Sequence, residues 1–368
     1  MSLAASHSQP SCAVTFWLPG VFSKGRLAES EQLPQLQLPA LQTLLSKGQR
    51  LPLPEKLKQS AQFFRTASYL AHQPDLIPIA PTMAMAEVPE FASQKNHFWV
   101  KVDPVHFVPD RDTLLMLPQN QLGITEDESQ ALLHAFNQHF AEEGLQLYYG
   151  APNRWYLSIA QPIDLRTTPL ADATMTPLMA CSPQGNAANY WLKLMNETQM
   201  LFYTHPVNEK RRAQGLSEIN GIWIWGEGQL EVEKIQSKPD LKIFAQSPYL
   251  KGLAKLIQAE ISEISPEKMQ NPQPCRQLLS ENSGRHLLLV MDQLSEQLSN
   301  LTETQWIAVL QDLEARWFTA LLQALKAGEV HSLLLVLGNG VQYHIQPKDL
   351  KHFWRWNKKL VKALLFDR

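Results

Sequence analysis

The chain has 368 residues, 44% of them apolar and 18% charged, with a formal net charge of -2. Such a composition can bury a real core and excludes disorder, and the length allows one large domain or two. Near-neutrality excludes a surface given over as a whole to nucleic acid or to an anionic membrane, so neither is an expected partner. The three cysteines, Cys12, Cys181 and Cys275, are far apart and fit neither a disulfide framework nor a metal-binding spacing. A reducing, cytoplasmic setting is therefore expected. No apolar run reaches the roughly 18 residues of a membrane span, and Met1 to Pro10 carry no basic leader region.

The first predicted strand covers 12–18 and ends at Pro19-Gly20. A Leu-, Gln- and Pro-rich stretch follows, with a short helix at 41–45 closed by Gly48. A helix is expected over 60–72, ended by the Pro-containing stretch 73–83. Strands are expected at 98–102 and 113–117. Thr125 and Glu128 have the spacing of a capping box and open a helix to about Glu143. Segments 145–149 and 155–159 read as a hairpin around Pro152-Asn153, 187–203 as a helix and 219–225 as an apolar strand ended by Gly226. Residues 237–284 are more polar and show little regular pattern. After them, a continuous apolar strand at 286–291, an amphipathic helix from Thr302 to Ala327 and an apolar strand at 332–337 form a βαβ unit, which requires at least part of the sheet to be parallel. Gly338-Asn339-Gly340 then turns into 341–345, an antiparallel strand expected at the sheet edge. The three strands 12–18, 286–291 and 332–337 are expected in one sheet.

Two stretches carry a family resemblance. One is Asp103-Pro104-Val105-His106 with Asp110-Arg111-Asp112 and Arg154-Trp155-Tyr156. The other runs Asn196-Glu197-Thr198-Gln199-Met200, His205-Pro206-Val207-Asn208, Arg212 and Asn220-Gly221-Ile222-Trp223-Ile224-Trp225-Gly226. Together they resemble the RpfE-type regulatory proteins, a bacterial group. The second string also resembles archaeal cofactor-independent phosphoglycerate mutases of the alkaline phosphatase superfamily. That resemblance implies an α/β fold: an alkaline-phosphatase-like doubly wound core sheet over 1–94 and 216–368, with a smaller inserted α/β domain over 95–215.

The resemblance further implies two divalent metals held by Asp and His side chains at strand ends and a serine nucleophile, because a transferring phosphoryl group spreads negative charge over several oxygens. The sequence departs at each place. Strand one ends Leu18-Pro19-Gly20 where the mutases have Asp-Gly. Leu38-Pro39-Ala40-Leu41-Gln42 stands for Thr-Pro-Asn-Leu-Asp, and Pro169-Leu170-Ala171-Asp172 for Pro-His-Asp-Ile. The last core strand ends Gly338-Asn339 where Asp-His is expected. Asp292 is present, but Gln293-Leu294-Ser295-Glu296 follows in place of Asp-x-x-Gly-His. The expectation is a relative with no metal, no cofactor and no catalytic residues, in a binding or regulatory role; the alternative is a metal-dependent phosphomutase or phosphatase.

Five residues remain as site candidates. Asp292 ends a parallel strand, where open α/β sheets place ligands; the structural alternative is a helix or loop cap, which position alone often selects. Arg154, His205, Asn208 and Arg212 are cationic or amide-bearing and match the mutase-like strings; converging, they could hold a small phosphorylated or carboxylated metabolite without metal. The structural alternative is backbone capping for His205 and Asn208 and a surface ion pair for Arg154. Asp103, His106, Asp110 and Asp112 lie within ten residues of one another but lack regular ligand spacing. The basic and aromatic stretch 351–368 reads as one buried helical stripe with its cations solvated. A protein partner is also compatible with these features.

Overall fold

The computed structural model describes residues 11–111, 113–264, 273–351 and 359–364, without the side chains of Glu296 and Ser299. They form two compact units. The first comprises Met1–Lys58, Leu70–His72 and Gln236–Arg368, and the second Gln59–Tyr69 and Gln73–Ile235.

The first unit is built on a seven-stranded sheet. Its centre is β1 (Cys12–Trp17), paired in parallel with β11 (His286–Val290) on one side and β12 (Val330–Val336) on the other. Val14 faces Leu287 in one register and Leu333 in the other, so the three strands expected together do share a sheet. Continuous apolar sequence suits strands covered on both faces. Beyond β11 lie β9 (Leu241–Phe244) and β10 (Glu260–Ser262), both parallel. The segment 237–284, read as irregular from the sequence, thus contributes two strands; they are three and four residues long, too short for a periodic signal to rise above the polar residues around them.

Beyond β12 lies antiparallel β13 (Val341–Ile345), but it is not the edge. β2 (Gln49–Pro52) pairs outside it, with Tyr343 opposite Arg50. The helix before β2 spans Pro39–Lys47 and ends at Gly48 in an extended, not left-handed, conformation. Glycine is required there by proximity: a Cβ would lie 2.7 Å from Ile345 Cγ1.

The helical stretch 303–327 is broken. Helix Glu303–Leu313, opened by a Thr302–Gln305 capping box, passes through a π-helical turn at Glu314–Phe318 into helix Thr319–Ala327, which Gly328 closes at φ +78°. Trp317 from this turn stacks on Phe16 of β1, ring centroids 5.3 Å apart, and Trp306 Nε1 donates to the Val21 carbonyl at 2.9 Å. The same turn buries Glu314, whose carboxylate accepts the amides of Ala40 at 2.6 Å and Leu41 at 3.0 Å, capping the first turn of helix Pro39–Lys47.

The second unit carries a four-stranded antiparallel sheet in the order β6 (Leu147–Ala151), β7 (Arg154–Ile159), β3 (Phe98–Val105), β8 (Gly221–Gly228). A separate ribbon pairs β4 (Phe107–Asp110) with β5 (Thr113–Met116). The β6–β7 hairpin turns at Pro152-Asn153, and the Thr125–Glu128 capping box forms at the start of helix Glu126–His139. β3 is buried along its whole length, although it contains Lys101 and Asp103.

Candidate functional site

In the first unit the carboxyl ends of the parallel strands are where ligands settle in open α/β sheets. Three of these ends, those of β1, β11 and β12, lie side by side in the sheet. After β1 the chain turns through Pro19-Gly20, and after β12 through Gly338-Asn339. These turns lie against each other: a Cβ on Gly338, which sits at φ +82°, would be 2.6 Å from the Gly20 nitrogen. Main chain fills that space. Asn339, buried at 2% exposure, donates from Nδ2 to the Leu364 carbonyl at 3.0 Å. Tyr343 Oη donates to the Ala363 carbonyl at 2.7 Å. Both thus tie down the helix Leu360–Leu364, in which Leu360, Ala363 and Leu364 are buried. Most of the rest of the basic and aromatic segment, 352–358 and 365–368, lies outside the described residues.

Asp292 occupies the third strand end, just past β11. Its Oδ2 accepts the amides of Gln246 at 2.8 Å and Ser247 at 2.5 Å, and its Oδ1 that of Gln293 at 3.1 Å. The carboxylate therefore clasps the loop that follows β9. Burial pushes its pKa above the usual carboxylate range, and the three amides act in the opposite sense. Beside it, at the ends of β9, β10 and β11, is a cavity of about 290 Å³. Its walls are Ala245, Ile264, Val290, Met291 and Leu294. Its rim is amide: Gln246, Gln293 and Gln297. Gln293 Nε2 donates to Gln246 Oε1 across that rim.

In the second unit the mutase-like string is used for construction. His205 is the N-cap of helix Pro206–Ala213, its Nδ1 accepting the Val207 amide at 3.2 Å. Burial lowers its pKa. Asn208 is fully buried; its Nδ2 donates to the carbonyls of Phe202 and Ile219, and its Oδ1 accepts the Ile219 amide. Arg212 is exposed and pairs with Glu218 at 2.7 Å. The buried arginine is its neighbour Arg211, at 1% exposure, which donates to the Ser217 and Leu122 carbonyls and to Glu128. Asn220 clasps Phe107 at both amide and carbonyl, and a Cβ on Gly221 would lie 2.4 Å from the Phe107 ring. Trp223 Nε1 donates to the Thr168 carbonyl.

Arg154 belongs to a different group. It forms a two-point pair with Glu87 at 2.8 and 2.6 Å, and Tyr156 Oη donates to the same carboxylate. On the same sheet face Lys101 donates to Asp103, which also accepts from Trp225 Nε1 at 2.6 Å, and the Lys101 ammonium sits 4.5 Å from the Trp225 ring centroid. Lys101 and Asp103, two residues apart on β3, necessarily face one side. Two cations and two carboxylates balance each other here. The structure thus brings His205, Asn208 and Arg212 onto one helix and its cap, and places Arg154 with Glu87, Tyr156, Lys101 and Asp103. Asp103 is part of this quartet, away from His106, which burial holds below its usual pKa beside Glu218; Asp110 ends β4, and Asp112 lies outside the described residues. Lys101, Glu87 and Tyr156 were missed from the sequence, where the one available signal was a pair of opposite charges at i and i+2 inside an otherwise apolar strand. Among the described residues no three His, Cys, Asp or Glu side chains stand together as a metal-holding group.

The overall architecture matches known structures. A cofactor-independent phosphoglycerate mutase from Thermoplasma acidophilum superposes with a TM-score of 0.50 at 13% identity, covering 96% of this chain and 94% of that one. A Pyrococcus horikoshii protein superposes with a TM-score of 0.55, also at 13% identity, over 92% of this chain and 87% of its own. The chain has the phosphoglycerate mutase-like, alkaline-phosphatase-like fold. Sequence similarity agrees over a shorter stretch. The 2,3-bisphosphoglycerate-independent phosphoglycerate mutase of Methanosarcina mazei is 27% identical over 107 residues, 28% of this chain and 27% of that enzyme. The Methanothrix thermoacetophila enzyme of the same name is 32% identical over 85 residues, 23% of this chain and 22% of its own. The match therefore spans about a quarter of these relatives' length. No protein-family model matches the chain.

The residues present do not fit the metal pair that this resemblance implies. Divalent ions of that class need several carboxylates or imidazoles converging. Among the described residues the three strand ends carry one carboxylate, Asp292, and its oxygens already accept three amides. Asn339 stands in place of an Asp-His pair and donates to a carbonyl, and main chain occupies the gap between β1 and β12.

Proposed function

We propose that this chain is a non-catalytic, metal-free relative of the cofactor-independent phosphoglycerate mutases, working in the cytoplasm as a binding or regulatory protein. The observation that carries this reading is the strand-end donor set: one carboxylate used as a backbone clasp, one buried amide holding a helix, and glycines in main-chain contact. The strings resembling RpfE-type regulatory proteins favour a regulatory role. The absence of a helix, among the described residues, long and apolar enough to cross a membrane agrees with a role away from the bilayer interior. A phosphorylated or carboxylated ligand at Arg154, His205, Asn208 and Arg212 has less support, because each of these side chains already bonds to protein.

The test is elemental analysis of protein dialysed against manganese, together with assays of phosphoglycerate interconversion and phosphate-ester hydrolysis with and without Mn2+. Substoichiometric metal and no metal-dependent turnover are expected. Two tightly held metals per chain, or robust Mn2+-dependent turnover, would establish the rival reading as a phosphomutase or phosphatase.

A further inference from the structure

Resting on that metal-free reading, we propose that the cavity at the ends of β9, β10 and β11 binds a small molecule made of a protonated amine on a compact apolar body, with the ammonium on Asp292. The cavity, about 290 Å³, falls at the lower limit of small-molecule pockets, which run from about 300 to 1,000 Å³. Its composition selects the ligand. The walls, including Ile264, Val290, Met291 and Leu294, are aliphatic or thioether and reward burial of an apolar group. Among the described residues the lining contains no lysine, arginine or histidine, so Asp292 meets no counter-charge from them. A phosphate or carboxylate would lose its hydration against apolar walls and face a like charge with nothing to offset either cost.

An ammonium has the opposite balance. Asp292 uses three of its roughly four acceptor directions on the amides of Gln246, Ser247 and Gln293, which fixes the carboxylate in place before any ligand arrives. The remaining direction is free for one charge-assisted donor bond, stronger than a neutral one. The burial that raises the Asp292 pKa shows a carboxylate short of stabilising charge, and a bound cation supplies it. The Gln246 and Gln293 amides on the rim can take the ammonium's other protons. By its own side chains the cavity is suited to a cation.

Met291 lies in the wall and reports on occupancy. The experiment is methyl NMR of the full chain labelled at methionine, titrated separately with butylamine, butanol, butyrate and inorganic phosphate, the Met291 signal being assigned by Met291→Leu. Butylamine is expected to shift Met291 at concentrations about tenfold lower than butanol, as one charge-assisted bond requires, with butyrate and phosphate leaving it in place. Asp292→Asn should abolish the preference for amine over alcohol. Leu294→Trp, which fills the cavity without touching the clasp, should abolish both responses while the other methionine signals stay put. A Met291 signal that ignores butylamine, that follows butyrate or phosphate equally, or that responds to amine unchanged in Leu294→Trp overturns the proposal. Manganese is a separate arm: stoichiometric broadening of Met291 by Mn2+ would refute the metal-free reading, whereas the amine titration in metal-free protein judges the ligand class alone.

Discussion

The guanidinium of Arg211 is sealed in the second unit and donates from Nη1 to Glu128 Oε2 at 2.8 Å. Glu128 is also the capping-box residue of helix Glu126–His139, so one carboxylate ties two helices. Burial acts to raise the Glu128 pKa, but the Thr125 amide and Arg211 outweigh it and hold it below the usual glutamate value.

The first prediction contrasts two adjacent arginines. Arg211→Ala removes three hydrogen bonds and leaves buried carbonyls and Glu128 without their partner, at a cost of about 3 kcal/mol. Arg212→Ala removes an exposed pair with Glu218 and should leave the urea midpoint unchanged within error. The pH dependence follows from the depressed Glu128 pKa. Its stabilisation is full above the unfolded value near 4.5 and is lost as pH falls through the lower folded value, so Arg211→Ala should flatten the wild-type stability curve on the acid side. Equal midpoints for the two variants would count against this assignment.

The second prediction concerns the quartet around β3. Arg154→Met leaves Glu87 unpaired, beside Tyr156, in a mostly buried setting, and should cost about 3–5 kcal/mol. Adding Glu87→Leu removes the stranded charge, and the double variant should recover most of that loss, giving a coupling of more than about 1 kcal/mol in a double-mutant cycle. Additive effects of the two changes would mean the pair is not coupled. A Gly150→Ala change tests the same packing: its Cβ would lie 2.6 Å from Tyr156 Cε2 and 3.0 Å from Glu87 Oε2, so a drop in melting temperature is expected.

These sites show what the sequence makes legible. The capping box at Thr125, the helix start at Thr302, the hairpin at Pro152-Asn153 and the apolar runs of β1, β11 and β12 depend on neighbours a few residues apart, and they read directly from the chain. What could not be read depends on tertiary partners. Nothing near Glu314 says that its carboxylate will cap a helix some 270 residues earlier in the chain, or that a π turn will aim it there. Arg211 and Arg212 are chemically identical in sequence, and only the carbonyls of Leu122 and Ser217 decide which one is buried. The His205–Trp225 string looked like a binding motif because its polar residues are distinctive; in the fold their distinctiveness comes from clasping backbone.

The third prediction is a pH response in the first unit. His72, at φ +58°, lies against His286 with ring centroids 5.2 Å apart and the rings tilted by 58°, and Thr15 Oγ1 lies 3.4 Å from His286 Nε2. Burial and then Lys238 lower the His72 pKa, while burial and then His72 lower that of His286; Asp240 opposes both, and His331 further lowers His286. The neutral forms are therefore favoured in the folded state. Above the unfolded value near 6.5 both states are neutral and nothing is lost. As pH falls below it the unfolded chain takes up protons first, and stability declines. Melting temperature should fall between about pH 7 and pH 5, and His286→Gln should make that decline shallower. An unchanged slope in the variant would assign the decline to other groups.

The fourth prediction places an acidic residue at the end of β12. In Asn339→Asp the Nδ2 donor to the Leu364 carbonyl becomes an oxygen, so a hydrogen bond turns into a repulsion at a position only 2% exposed. Among the described residues its hydrogen-bond partners are the Leu364 carbonyl and the Tyr343 hydroxyl, neither of them a cation, and the Gly338 main chain beside it is pressed against that of Gly20. The expected loss is about 3 kcal/mol or more at neutral pH, and added Mn2+ should return none of it. The sign of the pH dependence is diagnostic. A buried aspartate has a raised folded pKa, so its penalty is present above that value and disappears as the carboxyl protonates. The gap between variant and wild type should therefore narrow as pH is lowered toward about 4. A variant rescued by Mn2+ at neutral pH would instead mean that the strand end can hold an ion, and the main-chain contact between Gly20 and Gly338 would have to open to admit it.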